Sequence, residues 1–163
     1  MTGSNQFSVA FFVKRLLACT LAWNLLMAPA LAASDTSSVA ASKPENAWLK
    51  RVPDLIAKGE IKKALDDLMA DQQRDNADWH NLMGFAYRKQ QPPDIPRSES
   101  HYREALKIKP DHRGALEYYG ELLLMKNDLP GAEEMLKRLS KACFFGCEEL
   151  SDLKKAIEAF KRR

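Results

Sequence analysis

The chain has 163 residues, 45% of them apolar and 29% charged, which suits one ordinary globular domain. The formal net charge is only +3, and most of it leaves with Lys14 and Arg15, because residues 1–32 contain no acid. A chain so evenly balanced lacks the basic excess that displaces counterions from a nucleic acid, so nucleic-acid binding is not expected.

Residues 1–32 read as a cleaved secretory signal. Lys14 and Arg15 precede an almost unbroken apolar run from Leu16 to Ala28, Pro29 breaks it, and Ala30-Leu31-Ala32 offers small residues at a cleavage site. The run is too short for a comfortable bilayer span, so no stable membrane insertion is expected after cleavage near Ala32/Ala33, and export then means the periplasm. Leu16-Leu17-Ala18-Cys19 resembles a lipobox, but it follows Lys14-Arg15 directly and leaves no apolar segment ahead of the cysteine. Residues 33–44, rich in Ser and Ala, read as a flexible tether.

Beyond the tether the apolar residues fall at helical spacing and arrange themselves in pairs. Asn46 to Lys58 and Ile61 to Gln73 form the first pair around a Gly59-Glu60 turn, with Pro53 expected near a start or a kink. A helix from Ala77 carrying Trp79, Met83 and Tyr87 leads through a long link, Gln90 to Pro96, to a partner over Arg97 to Lys109. Asp111 to Lys126 and Leu129 to Ala142 form the third pair, and Glu148 to Lys161 closes the chain. No strand-like alternation occurs, which predicts an all-α fold.

One interval organises these helices. The triplets Ala64/Leu68/Asp71, Ser98/Tyr102/Ala105 and Ala132/Leu136/Leu139 each follow i, i+4, i+7 spacing and recur every 34 residues. Gly84 and Gly120 are two residues further apart than that, which the longer link at 90–96 explains. Gly84 with Tyr87, then Tyr102, Ala105, Leu106 and Pro110, is similar to the tetratricopeptide repeat signature, and Gly120, Leu123, Ala132, Leu136 and Leu139 resemble a second copy. The resemblance implies a right-handed helix-turn-helix solenoid over residues 45–163: a degenerate unit at 46–76, units at 77–110 and 111–144, and a capping helix at 148–162. Trp79, Met83, Tyr119, Leu123 and Leu136 are expected to hold the stack, and small residues at Gly84, Gly120, Ala64, Ser98 and Ala132 to let backbones approach.

The same resemblance implies a partner groove on the first helix of each pair. Its outward positions would be Asn81, Phe85, Arg88 and Lys89, then Glu117, Glu121, Leu124 and Met125, with Phe85 as an aromatic anchor for an unidentified protein or peptide. Glu117 and Glu121 would repel a carboxylate ligand, and self-association through the short ends of the stack is a further possibility. Cys143-Phe144-Phe145-Gly146-Cys147 is expected to form a disulfide in an exported chain and to set the angle of the closing helix. The alternative is a thiol- or metal-handling protein using Cys143 and Cys147, for which His80, His101 and His112 would have to converge on the cysteines. Glu133-Glu134 and Glu148-Glu149 are read as carboxylates at helix starts. No nucleophile-base constellation, phosphate loop or paired acid is present in the sequence, so no catalytic residue, cofactor or metal is assigned, and the chain is not expected to be an enzyme.

Overall fold

The computed structural model describes residues 46–163, which lie within one compact unit, Ala41–Arg163. The signal at 1–32, the tether at 33–44 and Cys19 lie outside the described residues. Among those described, seven helices and no strand occur: α1 (Trp48–Ala57), α2 (Ile61–Ala70), α3 (Ala77–Lys89), α4 (Ile95–Ile108), α5 (Arg113–Met125), α6 (Leu129–Ala142) and α7 (Glu148–Lys161). None of them is long and apolar enough to cross a membrane.

Local chemistry fixes most boundaries. The Asn76 side chain caps α3 by accepting from the backbone N–H groups of Asp78 (2.9 Å) and Trp79 (3.3 Å). Asp94 accepts from Arg97 N–H (3.0 Å), so α4 starts two residues earlier than the sequence suggests and Pro96 stands in its first turn, where no N–H is needed. Asp128 and Pro130 open α6 in the same way. Glu148 and Glu149 do open α7, but Glu133 and Glu134 stand beyond the first turn of α6, where Glu133 instead pairs with Lys161 at 2.5 Å. Pro53 sits in the middle of α1 rather than near its start. It is exposed there, on the side where water can reach the Leu49 carbonyl that loses its donor. Gly59 (φ +75°) makes the α1–α2 turn in the left-handed region, which glycine enters without a side-chain penalty.

Consecutive helices pack on one another throughout, and α1 also touches α3, α3 touches α5, and α5 touches α7. The even-numbered helices make no comparable contact among themselves. Two apolar clusters result. Trp48, Val52, Ile56, Leu68, Trp79, Met83 and Tyr87 form one across α1–α3. Tyr102, Leu116, Tyr119, Leu122, Leu139, Leu153 and Ile157 form the other across α4–α7. Trp79 Nε1–H joins successive pairs by donating to the Leu68 carbonyl (2.9 Å), and within the second pair buried Ser98 Oγ–H donates to the Gly84 carbonyl (2.8 Å).

The small residues stand at the closest approaches. Ala64, Ser98 and Ala132 are fully buried, and a Cβ at Gly84 would lie 2.7 Å from the Tyr102 ring. Gly120 differs from the sequence expectation. Its open side receives Leu153 of α7, whose Cδ1 would be 2.7 Å from an added Cβ, so the glycine seats the closing helix.

Candidate functional site

The odd-numbered helices α3, α5 and α7 put one stripe each on a shared face. On α3 the stripe is Asn81, Phe85 and Arg88, at i, i+4, i+7; on α5 it is Gly114, Glu117, Tyr118 and Glu121; on α7 it includes Glu149, Asp152 and Ala156. Phe85 and Tyr118 stack across the α3–α5 seam with ring centres 4.5 Å apart and planes within 13°. The Arg88 guanidinium lies 5.3 Å from both ring centres, and its Nη1–H donates to Glu121 Oε2 at 2.5 Å. Beside this pair a recess of about 210 Å³ is walled by Leu124, Met125, Ala156, Ala159, Phe160 and Arg163.

The sequence reading expected these groups to point outward into solvent, and most of them are covered instead. Asn81, Arg88, Glu117 and Leu124 are buried, Phe85 and Glu121 are half-buried, and of the eight positions only Lys89 and Met125 are exposed. Third-helix packing is the reason: α7 covers α5, so α5 residues that would be free on the last unit of an open stack acquire a neighbour. Lys89 contacts the Phe85 ring (5.4 Å) and also borders a separate cleft of about 670 Å³ beside Gly59 and Ile61.

Glu117 is the electrostatic anomaly of this face. It is 8% exposed and makes no hydrogen bond or ion pair. Burial first, then the carboxylates of Glu121, Asp152 and Glu149, push its carboxyl up to about 8, against a smaller opposing pull from Arg88. The same burial, with Glu117 beside it, pushes the Tyr118 phenol up to about 12. Asn81, equally buried, leaves its Oδ1 without a donor while its amide side rests on Gly114. The sequence signal for this cluster was the acidic first turn of α7, which only the fold brings next to α5.

Cys143 and Cys147 are joined as a disulfide with Cα atoms 5.7 Å apart. Cys143 is buried in the second core cluster, while Phe144 and Phe145 project outward at 84% and 97% exposure. The histidines do not converge on this pair. His112 Nδ1 caps α5 by accepting from Ala115 N–H (3.1 Å), which leaves Nε2–H to donate to Asp78 (2.9 Å). His80 Nε2–H donates to the Arg74 carbonyl (2.9 Å), so its Nδ1 carries the lone pair that accepts from His101 Nδ1–H, also at 2.9 Å. With ring centres 5.1 Å apart the two Nδ1 atoms point at each other. That is the geometry of a shared proton, whereas two ligands of one metal ion would point at a common third position. Burial, then His80, lowers the His101 imidazole to about 4. The chain matches no family model and no curated protein.

Proposed function

We propose that the chain is an exported, tetratricopeptide-repeat-like adaptor that binds a protein or peptide on the face shared by α3, α5 and α7. The observation that carries this reading is the contact pattern: odd-numbered helices touch odd-numbered ones and even-numbered helices do not. Such an arrangement suits paired helices stacked with one helix of each pair inside the curve. The 34-residue recurrence of buried Ala64, Ser98 and Ala132 supports the same reading. On this account α7 stands in the place of the first helix of a further unit and shields α5.

The thiol-handling alternative has less to support it. Cys143 is 2% exposed, so of the pair only half-buried Cys147 could present an attacking sulfur.

The test is site-specific photocrosslinking in the native host. A photoreactive residue in place of Phe85 or Met125 should give one discrete adduct, while the same residue at Lys62 or Lys107, on second helices, should give none. Equal labelling from all four positions would refute the groove. Fractionation with N-terminal sequencing tests export, with the mature chain expected to begin near Ala33.

A further inference from the structure

On this face Asn81 Oδ1, on α3, is a buried acceptor without a donor and Arg88 Nε a buried N–H without an acceptor. Among the described residues Glu117, on α5, is more than nine-tenths buried with neither a hydrogen bond nor an ion pair. Asn81 and Glu117 belong to one stripe. Asn81 packs on Gly114, and Glu117 follows Gly114 by one helical turn. An N–H group from outside would satisfy Asn81 Oδ1 and pair with the Glu117 carboxylate.

The surroundings specify the charge of that group. Leu153 seats α7 against Gly120, which brings Glu149, one turn earlier on α7, and Asp152, the residue before Leu153, beside Glu117, one turn earlier on α5. Among the described residues Glu149 has no ion-pair partner, and Asp152 holds only the exposed side chain of Lys155 (2.9 Å). The nearest buried cation, Arg88, is committed to Glu121. The chain's own basic end is engaged elsewhere: Lys161 pairs with Glu133, Arg162 with Glu158, and Arg163 lies over Phe160 at the far end of α7. A recess of about 380 Å³ opens alongside Gly114 and Glu149, with Asp78 and Asp111 on its wall as well as Lys109 and Arg113. It offers a way in.

Resting on the adaptor reading above, we propose that this face selects a basic segment of a partner polypeptide, one lysine or arginine head entering between Glu117 and Asn81 on one side and Glu149 and Asp152 on the other. The entering ammonium or guanidinium donates to Asn81 Oδ1 and to the Glu117 carboxylate and takes Arg88's role for the carboxylates that Arg88 does not reach. Glu117 must then ionise, so binding at pH 7 releases a proton to the buffer. The groups that set its titration are Glu121 on its own helix, Glu149 and Asp152 on α7, and Arg88 on α3.

The experiment uses the protein purified from its host and two fluorescein-labelled peptides of alternating alanine and lysine or alanine and glutamate, followed by anisotropy at low salt. The lysine peptide should bind saturably and at least tenfold more tightly than its glutamate twin. Glu117→Gln with Glu149→Gln should weaken it at least tenfold, and calorimetry in buffers of different ionisation heat should show proton release in the wild type only. A melting curve of the double variant guards against misfolding, and Glu149→Gln alone, at a site with no partner to lose, should still weaken binding. Equal affinity for both peptides, or an unchanged affinity in the double variant, overturns the proposal. So does binding of Mg²⁺ alone with no affinity for the lysine peptide, or a Phe85 crosslink whose mass is that of a second copy. If Phe85 crosslinks a partner whose capture ignores Glu117→Gln/Glu149→Gln, the basic-segment inference fails and the adaptor reading stands; if Phe85 gives no adduct, both fail.

Discussion

At the level of single residues, the absence of a side chain matters as much as its presence. Gly84 lies under the ring of fully buried Tyr102 and 3.1 Å, by its missing Cβ, from the Ser98 carbonyl. Alanine there gains roughly 1 kcal/mol of helix propensity but meets a rigid ring and a backbone atom, an overpacking cost of about 1–3 kcal/mol. Gly84→Ala should therefore lower the urea midpoint. Gly120→Ala should lower it less, because the atoms it meets are the terminal methyls of Leu153. Titrating residues give a second test. Glu117 keeps a proton that the unfolded chain releases above its ordinary value of 4.5, so stability falls as pH rises toward about 8. The slope approaches about 1.4 kcal/mol per pH unit for one proton. His101 runs the other way. Lowered from 6.5 to about 4, it stays neutral where the unfolded chain is protonated, and stability falls as pH drops through that window. Urea midpoints measured against pH should show both limbs, with Glu117→Gln flattening the upper one and His101→Gln, whose amide can still donate to His80, flattening the lower.

At the level of elements, the disulfide loop and the closing helix work together. The Cys143–Cys147 bridge spans the junction between α6 and α7 and closes a very short loop, for which chain entropy gives about 2 kcal/mol. Reduction, or Cys147→Ser, should cost about that much in equilibrium unfolding. Phe144→Ser with Phe145→Ser should cost less than about 0.5 kcal/mol, because both rings already stand in water. The elements also show what was readable beforehand. Helix α7 was legible to its last residue, since Glu148-Glu149 mark its start and Leu150, Leu153 and Ile157 its apolar side. The start of α4 was not, because Pro96 reads as a breaker unless Asp94 is recognised as the cap that puts the proline in the first turn. Likewise, with α6 starting at Leu129, Glu133-Glu134 fall one turn too late to serve as its opening carboxylates.

For the molecule as a whole, stability depends on each helix pair being covered by the next. Removing residues 148–163 would uncover Gly120 and take Leu153 and Ile157 from the second core cluster. The truncated chain should lose its cooperative melt or associate, and sedimentation velocity distinguishes the two. The all-α class, the pairing of helices and the buried small residues were fixed by the amino-acid order alone, because helical spacing and a constant repeat interval are properties of the chain read along its length. Which candidate groove residues are wet was decided only by tertiary structure. Burial of Glu117, the pairing of Arg88 with Glu121, the stacking of Phe85 on Tyr118 and the facing imidazoles of His80 and His101 all join residues from different helices. Their distances depend on how those helices settle against one another, and no periodicity along the chain encodes that.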